Sequence, residues 1–354
     1  MGVLRLFLAI SVIVSHGGAL FGTTMLPGNI AVETFFIISG FYMSLVLSSK
    51  YQGVQSLGKF YSNRFLRLYP TYLLVLLTAW AWMLLLWLKS GRLPGYWLKD
   101  YAQMDLLPKL GLIVSNWTML GSDLRCLFHF SATKGFLFFH DSGIGVAADG
   151  ARWAGSYGTI VASWSIGLEI WFYLLIPWLA RLRTPTLVGI GLLSALCKAS
   201  MEASGLLSYF FFPAQLGFFL IGVLAERFGR DLPCSRTCRG WGWAACAAMV
   251  AWIIGFPFME LPGNRWFFYA MVGGLLPLIF AASKNSQWDR WLGNLSYPAY
   301  LCHMLVMEVF RLLFKEAYSM TLTLLGSLLV SALLVVFLEA PIDRWRQRRL
   351  RTTG

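Results

Sequence analysis

The chain alternates between long apolar segments and shorter polar connections. The apolar segments lack the strict alternation of a half-buried strand, and at 1.5 Å per residue each is long enough to cross or nearly cross an apolar core of about 30 Å. This pattern predicts an all-α polytopic membrane protein with one long loop between helices 3 and 4. The ten predicted transmembrane helices cover residues 4–22, 30–49, 70–89, 160–180, 185–202, 207–226, 241–259, 266–283, 292–313 and 320–340.

The segment 106–121 has a shorter apolar run, which contains Pro108 and Gly111. A crossing here would invert every later helix and would move the basic C-terminal residues to the outer side. We therefore predict that this segment is re-entrant or interfacial. Residues 1–343 are predicted to form one integral-membrane domain, and residues 344–354 a short basic tail.

The composition excludes the soluble and disordered classes of protein. Of the 354 residues, 58% are hydrophobic and 13% are charged, whereas a soluble domain has about 25% charged residues. An outer-membrane β-barrel would show short segments of alternating polarity instead of long apolar runs.

The net charge of +13 indicates the positive-inside bias and contact with anionic lipid, and not a nucleic-acid partner. With the N-terminus inside, most Lys and Arg residues fall in short inner segments, and many of the others lie in the long loop, which weighs little in this rule. Both termini are therefore predicted to be cytoplasmic. A cleaved signal peptide is the alternative for residues 1–22. The polar residues Arg5 and His16 within that apolar segment argue against it.

Two ionisable residues lie on the first predicted span, and such residues mark functional sites by default. Arg5 and His16 are eleven residues apart, which places them on one helical face, about 16 Å apart along the axis. An arginine at the inner mouth could hold a phosphate, and a histidine at depth could take a proton from a hydroxyl. The alternative is an arginine that reaches the headgroups and a histidine bonded to a neighbouring helix.

Two glutamates also fall within or beside spans. Glu33 begins the second span and could orient a histidine; the alternative is an interfacial glutamate. Glu169 lies in a stripe with Ser165 and Tyr173, spaced at i, i+4 and i+8, next to Trp164. For Glu169 the alternative is a structural pair with an arginine.

Three cations precede the third span. Lys59, Arg64 and Arg67 are predicted to converge at its cytoplasmic entrance, where they could bind a pyrophosphate or a 3′-phosphate. Ordinary positive-inside charge is the alternative. Glu339, at the inner end of the last span, is expected to pair with the arginines that follow it.

The remaining histidines and cysteines give weaker signals. His303 is predicted to lie about one turn into a span that Pro298 kinks or starts, with a packing histidine as the alternative. His129 and His140 could contact a substrate, or lie in a solvated loop. Cys234 and Cys238 have no second Cys or His pair nearby, so no metal site is predicted.

Several motifs occur together in one order. They are Arg5-x10-His16, VETFFIISGF (32–41), FYSNRFLRLYP (60–70), SWSIGLEIWFYLLIP (163–177), LGNLSYPAYLCH (292–303) and LEAP (338–341). On these motifs the chain resembles the integral-membrane acyltransferases of acyltransferase family 3, in the form that lacks an additional extracytoplasmic domain.

The resemblance implies a ten-helix protein of the bacterial inner membrane. It would transfer an acyl group, usually acetyl, from cytoplasmic acyl-CoA to a hydroxyl of a cell-surface or lipid-linked sugar, without a metal. Arg5 and His16 match the arginine–histidine pair of the family, and Glu33 matches a position that is usually acidic. Other matches are the cytoplasmic arginines Arg64 and Arg67, the glutamate Glu169 and the late histidine His303.

The implied mechanism assigns a role to each candidate. Arg5, Lys59, Arg64 and Arg67 would bind the phosphates of acyl-CoA, and His16 would act as general base, oriented by Glu33 or Glu169 or by both, with His303 also in the catalytic set. The residues Trp164, Ser165 and Tyr173 would bind the substrate. Direct transfer and a covalent acyl-His16 intermediate both stay open. The rival interpretations are a proton-coupled transporter and a non-catalytic partner in glycan assembly.

Overall fold

A computed structural model describes residues 1–51, 56–91, 95–138, 144–230, 235–315 and 318–351. Within these ranges the chain is predominantly α-helical, which confirms the predicted fold class. The helices are α1 (Gly2–Gly17), α2 (Gly28–Lys50), α3 (Leu57–Ser90), α4 (Gly95–Gln103), α5 (Leu106–Thr118), α6 (Ser122–Arg125), α7 (Ser163–Leu179), α8 (Thr184–Ala203), α9 (Phe212–Gly229), α10 (Arg236–Gly255), α11 (Asn264–Ser283), α12 (Gln287–Phe314), α13 (Met320–Leu334) and α14 (Ala340–Arg351). A π-helical turn, Val335–Glu339, joins α13 to α14.

Seven helical segments of the described chain are long and apolar enough to cross a membrane. They are Gly28–Lys50, Leu57–Ser90, Thr184–Ala203, Thr237–Phe258, Asn264–Ser283, Gln287–Phe314 and Met320–Arg348. The helices Gly2–Gly17 and Ser163–Leu179 are apolar but shorter. A helix lies over each of the ten predicted spans, and that all ten cross the membrane stays a prediction.

Several helix boundaries differ from those predicted, among them those of α1, α3 and α12. Helix α1 ends at Gly17 instead of residue 22, because Gly18 takes a φ of 103°, a left-handed value that ends the helix. Helix α3 begins at Leu57, thirteen residues before the predicted start. Helix α12 begins at Gln287 and continues through Pro298, so proline does not start it.

The described chain forms two compact units. The first consists of residues 1–67, 176–188 and 218–354. In this unit, α1 lies against α2, α10, α12 and α13. A Cβ atom added to Gly40 of α2 would lie 1.9 Å from the Phe219 carbonyl oxygen of α9. The two backbones therefore touch at Gly40, as the Ser39-Gly40 pair predicts for close helix packing.

The second unit consists of residues 68–175 and 189–217. The predicted long loop folds here into α4, α5, α6 and a three-stranded antiparallel sheet of order β2-β1-β3, which the apolar pattern did not predict. Its strands are β1 (Phe128–Ser131), β2 (Gly135–Phe138) and β3 (Arg152–Trp153). Helix α5 has 13 residues and is too short to cross about 30 Å alone. Several of its apolar side chains are exposed, and the re-entrant or interfacial position of residues 106–121 stays a prediction.

A buried polar cluster holds this folded loop against the start of α7. The Ser122 hydroxyl donates to the Ser163 carbonyl oxygen at 2.8 Å, and Arg125 Nη2 donates to Ser163 Oγ at 2.9 Å. Asp123, between them in sequence, is fully buried. Burial raises the pKa of the Asp123 carboxyl group to about 6.

Candidate active site

Two histidines from distant parts of the sequence meet in the first unit. His303 Nε2 lies 3.1 Å from His16 Nδ1, and the two rings stack with their centroids 5.1 Å apart. His303 is fully buried, whereas the His16 side chain is exposed. The pair therefore has an inner member enclosed by the protein and an outer member on the protein surface.

The hydrogen bonds of this histidine pair fix its tautomers in the neutral state. His303 Nδ1 lies 2.6 Å from the Tyr300 carbonyl oxygen, and a carbonyl oxygen only accepts, so Nδ1 carries the proton. His303 Nε2 is then a lone pair that accepts from His16 Nδ1–H. This arrangement leaves the lone pair of His16 on Nε2, which is the nitrogen that can accept a proton from a substrate.

The register of two parallel helices brings the pair together. At their N-terminal ends, Asp289 of α12 accepts the first backbone N–H groups of α1, from Gly2 N at 2.7 Å and from Val3 N at 3.0 Å. His303 follows Asp289 by fourteen residues, and His16 follows Gly2 by fourteen. Because both helices rise 1.5 Å per residue, the two histidines arrive at the same height. The parallel direction is the one that the predicted span order requires.

The cations expected near the third span lie on one continuous helix. Arg67 Nη1 pairs with Glu339 Oε2 at 3.1 Å. Arg64 Nη1 lies 3.7 Å from Met43 Sδ, and its buried Nε has no hydrogen-bond partner among the described residues. Lys59 is exposed. One partner of Glu339 therefore comes from α3, and its pairing with the arginines after it stays a prediction.

Glu33 and Arg5 lie on α2 and α1 of the same unit. Glu33 is buried, and the Tyr269 hydroxyl of α11 donates to its carboxylate. Arg5 is half-buried and within electrostatic range of the Tyr42 hydroxyl. The predicted role of Glu33 in orienting His16 stays a prediction.

The model of the acyltransferase-domain family matches residues 1–339. The chain belongs to acyltransferase family 3. Together with its apolar helices, this membership makes the protein a membrane acyltransferase. No curated protein and no solved structure matches the chain.

The other predicted residues of this acyltransferase lie on α7, in the second unit. The Tyr173 hydroxyl donates to Glu169, as their i, i+4 spacing favours. Ser165 Oγ donates to the Ala162 carbonyl oxygen at 3.1 Å. The Trp164 ring packs at 4.5 Å from the Tyr209 ring. Their catalytic and substrate-binding roles stay predictions.

The structure describes one of the two loop histidines, and that residue does not lie in a solvated loop. His129 is buried in β1, opposite Trp153 of β3. His140 and Cys234 lie outside the described residues. Among the residues that are described, no group of three or more His, Cys, Asp or Glu side chains could hold a metal ion.

Sequence reasoning missed the contact between the histidines and the role of Asp289. No sequence signal identifies which helices are neighbours, so the contact could not be read. The true start of α12 did leave a signal, since Ser286 Oγ accepts from Asp289 N at 3.2 Å, an N-cap that its Ser-x-x-Asp spacing indicates. His303 consequently lies sixteen residues from Gln287, the first residue of α12, and not one turn from the helix start.

Proposed function

We propose that this acyltransferase moves an acyl group, most simply acetyl, from cytoplasmic acyl-CoA to a hydroxyl of a cell-surface or lipid-linked sugar at the bacterial inner membrane. The observation that carries the proposal is the histidine pair. It supplies a basic nitrogen on the surface, in a ring that the hydrogen bond to His303 orients. General-base activation of a hydroxyl needs such an oriented base.

In the proposed reaction, His16 Nε2 takes the proton of the sugar hydroxyl as its oxygen attacks the thioester carbonyl carbon. A C–O bond forms, and the C–S bond breaks when the tetrahedral intermediate collapses. The His16 imidazolium then returns the proton to the departing thiolate. His303 Nε2, which accepts from His16 Nδ1–H, stabilises the imidazolium while it exists. General-base catalysis of this kind contributes typically 10²–10⁴-fold.

The donor would bind through its phosphates. In the predicted topology, the cytoplasmic sides of α3 and α1 carry four cations, which are Arg64, Arg67, Lys59 and Arg5. Guanidinium groups bind phosphates with charge-assisted hydrogen bonds. An extended pantetheine arm is roughly 15–20 Å long, close to the helix rise between Arg5 and His16. This match supports a donor that reaches from Arg5 toward His16.

The acceptor would bind through polar and aromatic side chains. We propose that Trp164, Ser165 and Tyr173 contact the sugar, since aromatic rings and hydroxyls are the usual partners of such ligands. Glu33 and Glu169 are proposed to orient His16 or the hydroxyl that it activates. The hydrogen bond from Tyr173 to Glu169 supports a fixed position for that carboxylate.

The test compares surface glycan from cells that carry the wild type, His16→Ala, Ser15→Ala or an empty vector. Mass spectrometry before and after mild base treatment measures the acyl group. We expect a base-labile mass increment with the wild type and Ser15→Ala, and its loss with His16→Ala and the vector. Ser15 is the exposed neighbour of His16 and serves as the control. An increment that survives in His16→Ala would rule out His16 as the base, and no increment in any strain would contradict the glycan acceptor.

A further inference from the structure

The C-terminal helix α14 lies against the beginning of α3. Arg346 Nη1 donates to the Asn63 carbonyl oxygen at 3.5 Å. The Glu339–Arg67 ion pair joins the residue before α14 to the same part of α3. The Arg346 side chain is 15% exposed, whereas Arg344, on the same helix, is exposed. Arg346 is therefore turned toward α3 and not toward the solvent.

This packing gathers three guanidinium groups. Arg346 interacts electrostatically with Arg64 and Arg67, and we name these three residues the arginine cluster. Its carboxylates are Glu339, which pairs with Arg67, and Asp343, which lies 3.1 Å from Arg346 Nη2. Arg64 has no ion pair with a described residue, and its Nε is buried without a hydrogen bond.

The cluster thus holds more positive than negative charge in a partly buried place. Taking a cation out of water costs free energy unless a counter-charge compensates it. Among the described residues Arg64 has no counter-charge and lies over the Phe60 ring, 5.9 Å from its centroid, whereas Arg67 and Arg346 each pair with a carboxylate. A planar guanidinium offers five donors, so Arg346 can keep its bonds to Asp343 and Asn63 and still donate to a further anion.

We infer that Arg346 joins Arg64 in binding a phosphate group of the acyl-CoA donor. The inference rests on the proposed function and adds a residue that the family match, which ends at residue 339, does not include. The same chemistry would also suit the phosphate of an anionic lipid headgroup, so the test separates the two sources.

The test measures binding of radiolabelled CoA to the full chain in nanodiscs of zwitterionic phosphatidylcholine. We expect Arg346→Ala to weaken CoA binding about tenfold. Arg346→Lys should weaken it about threefold, because lysine keeps the charge but lacks the paired N–H donors of the guanidinium. Arg344→Ala, the control with the same charge change on the same helix, should stay within twofold. Thermal unfolding of each variant checks the fold, and if Arg346→Ala does not fold, Arg346→Lys decides.

The remaining variant separates direct contact from helix docking. Asp343→Asn removes a carboxylate that competes with the phosphate, so it should bind CoA as tightly as the wild type or more tightly. A loss equal to that of Arg346→Ala would show that the Asp343–Arg346 pair only positions α14 and would overturn the inference.

Three other results would also overturn it. The first is unchanged CoA binding in both Arg346 variants, and the second is an equal loss of binding in Arg344→Ala. The third comes from repeating the measurement in nanodiscs with phosphatidylglycerol, where a loss that appears only there would identify a lipid headgroup as the ligand. If the wild type itself binds no CoA, the proposed donor is wrong as well. Wild-type binding together with unchanged Arg346 variants contradicts this inference alone.

Discussion

The histidine pair and the arginine cluster belong to the same unit and are built in opposite ways. The pair is a chain of hydrogen bonds in which each proton has an acceptor, and it ends on one lone pair of His16. The cluster instead carries surplus positive charge, with Arg64 outside any ion pair of the described residues. The matched register of α1 and α12 forms the histidine pair, whereas cations without a full set of counter-charges form the arginine cluster. Changes to the pair should therefore alter the rate, and changes to the cluster should alter donor binding.

The largest effect in this comparison is expected at His303. Substitution His303→Ala removes the acceptor of His16 Nδ1–H, so His16 loses its tautomer and its orientation, and kcat should fall about 100-fold. The amide oxygen of His303→Gln can still accept the hydrogen bond from His16 Nδ1–H, so this variant should recover about tenfold in kcat. Steady-state kinetics with acyl-CoA measure both, and KM for the donor should stay within twofold. Equal loss in both variants would contradict the role of His303 as an acceptor.

Asp289 tests whether register matters to the pair. Substitution Asp289→Asn keeps one acceptor oxygen but removes the charge that favours a helix N-terminus, at a cost of about 1–2 kcal/mol. Helix α1 should lose its fixed height, and kcat should fall about tenfold with donor KM unchanged. Gln287→Ala, an exposed change in the same helical turn, is the control. If Asp289→Asn lowers the unfolding temperature but leaves kcat intact, the cap stabilises the fold without positioning His16.

Glu339 tests whether a carboxylate in the arginine cluster weakens binding of the donor. Substitution Glu339→Gln removes the carboxylate that neutralises Arg67, so KM for acyl-CoA should fall about threefold while kcat stays constant. Glu308→Gln, an exposed change of the same type, should have no effect. A rise in KM would mean that Glu339 holds Arg67 in its binding position.

The smallest effect on activity is expected outside both sites, at Asp123, where the change concerns stability. Its carboxyl pKa is about 6 in the folded protein, above its usual 3.8. Between these values the folded state binds the extra proton, so stability is greatest below about pH 4 and falls as the pH rises to about 6, by up to about 3 kcal/mol.

Substitution Asp123→Asn should remove this slope without changing activity at neutral pH. Thermal unfolding in detergent at pH 4 and pH 6.5 measures it, with the exposed Asp105→Asn as control. A slope that survives in Asp123→Asn would assign it to other groups.

The apolar runs predicted where the helices lie, because a span has to be apolar over most of its length. They failed at the starts of α3 and α12, where the first turns are polar and the apolar signal is missing. The pattern did not predict the sheet around His129, because its strands have only two to four residues. These errors share one cause, since the pattern records hydrophobicity and not hydrogen bonding.

The candidate site was predicted residue by residue but not as contacts. His16, His303, Arg64 and Arg67 came from their positions in motifs and spans. That His303 lies behind His16, or that Glu339 pairs with Arg67, depends on which helices are neighbours. Arg346 looked like one of several basic tail residues, and only the packing of α14 on α3 distinguishes it from Arg344.

The central claim is that His303 holds neutral His16 with its lone pair on Nε2. Nitrogen-15 NMR of the histidine side chains tests it directly, because the chain has only 4 histidines and each nitrogen reports whether it is protonated. For wild-type protein in nanodiscs above neutral pH, we expect Nδ1 protonated and Nε2 unprotonated in both His16 and His303, and loss of this tautomer of His16 in His303→Ala. A wild-type His16 that carries its proton on Nε2 would contradict the account.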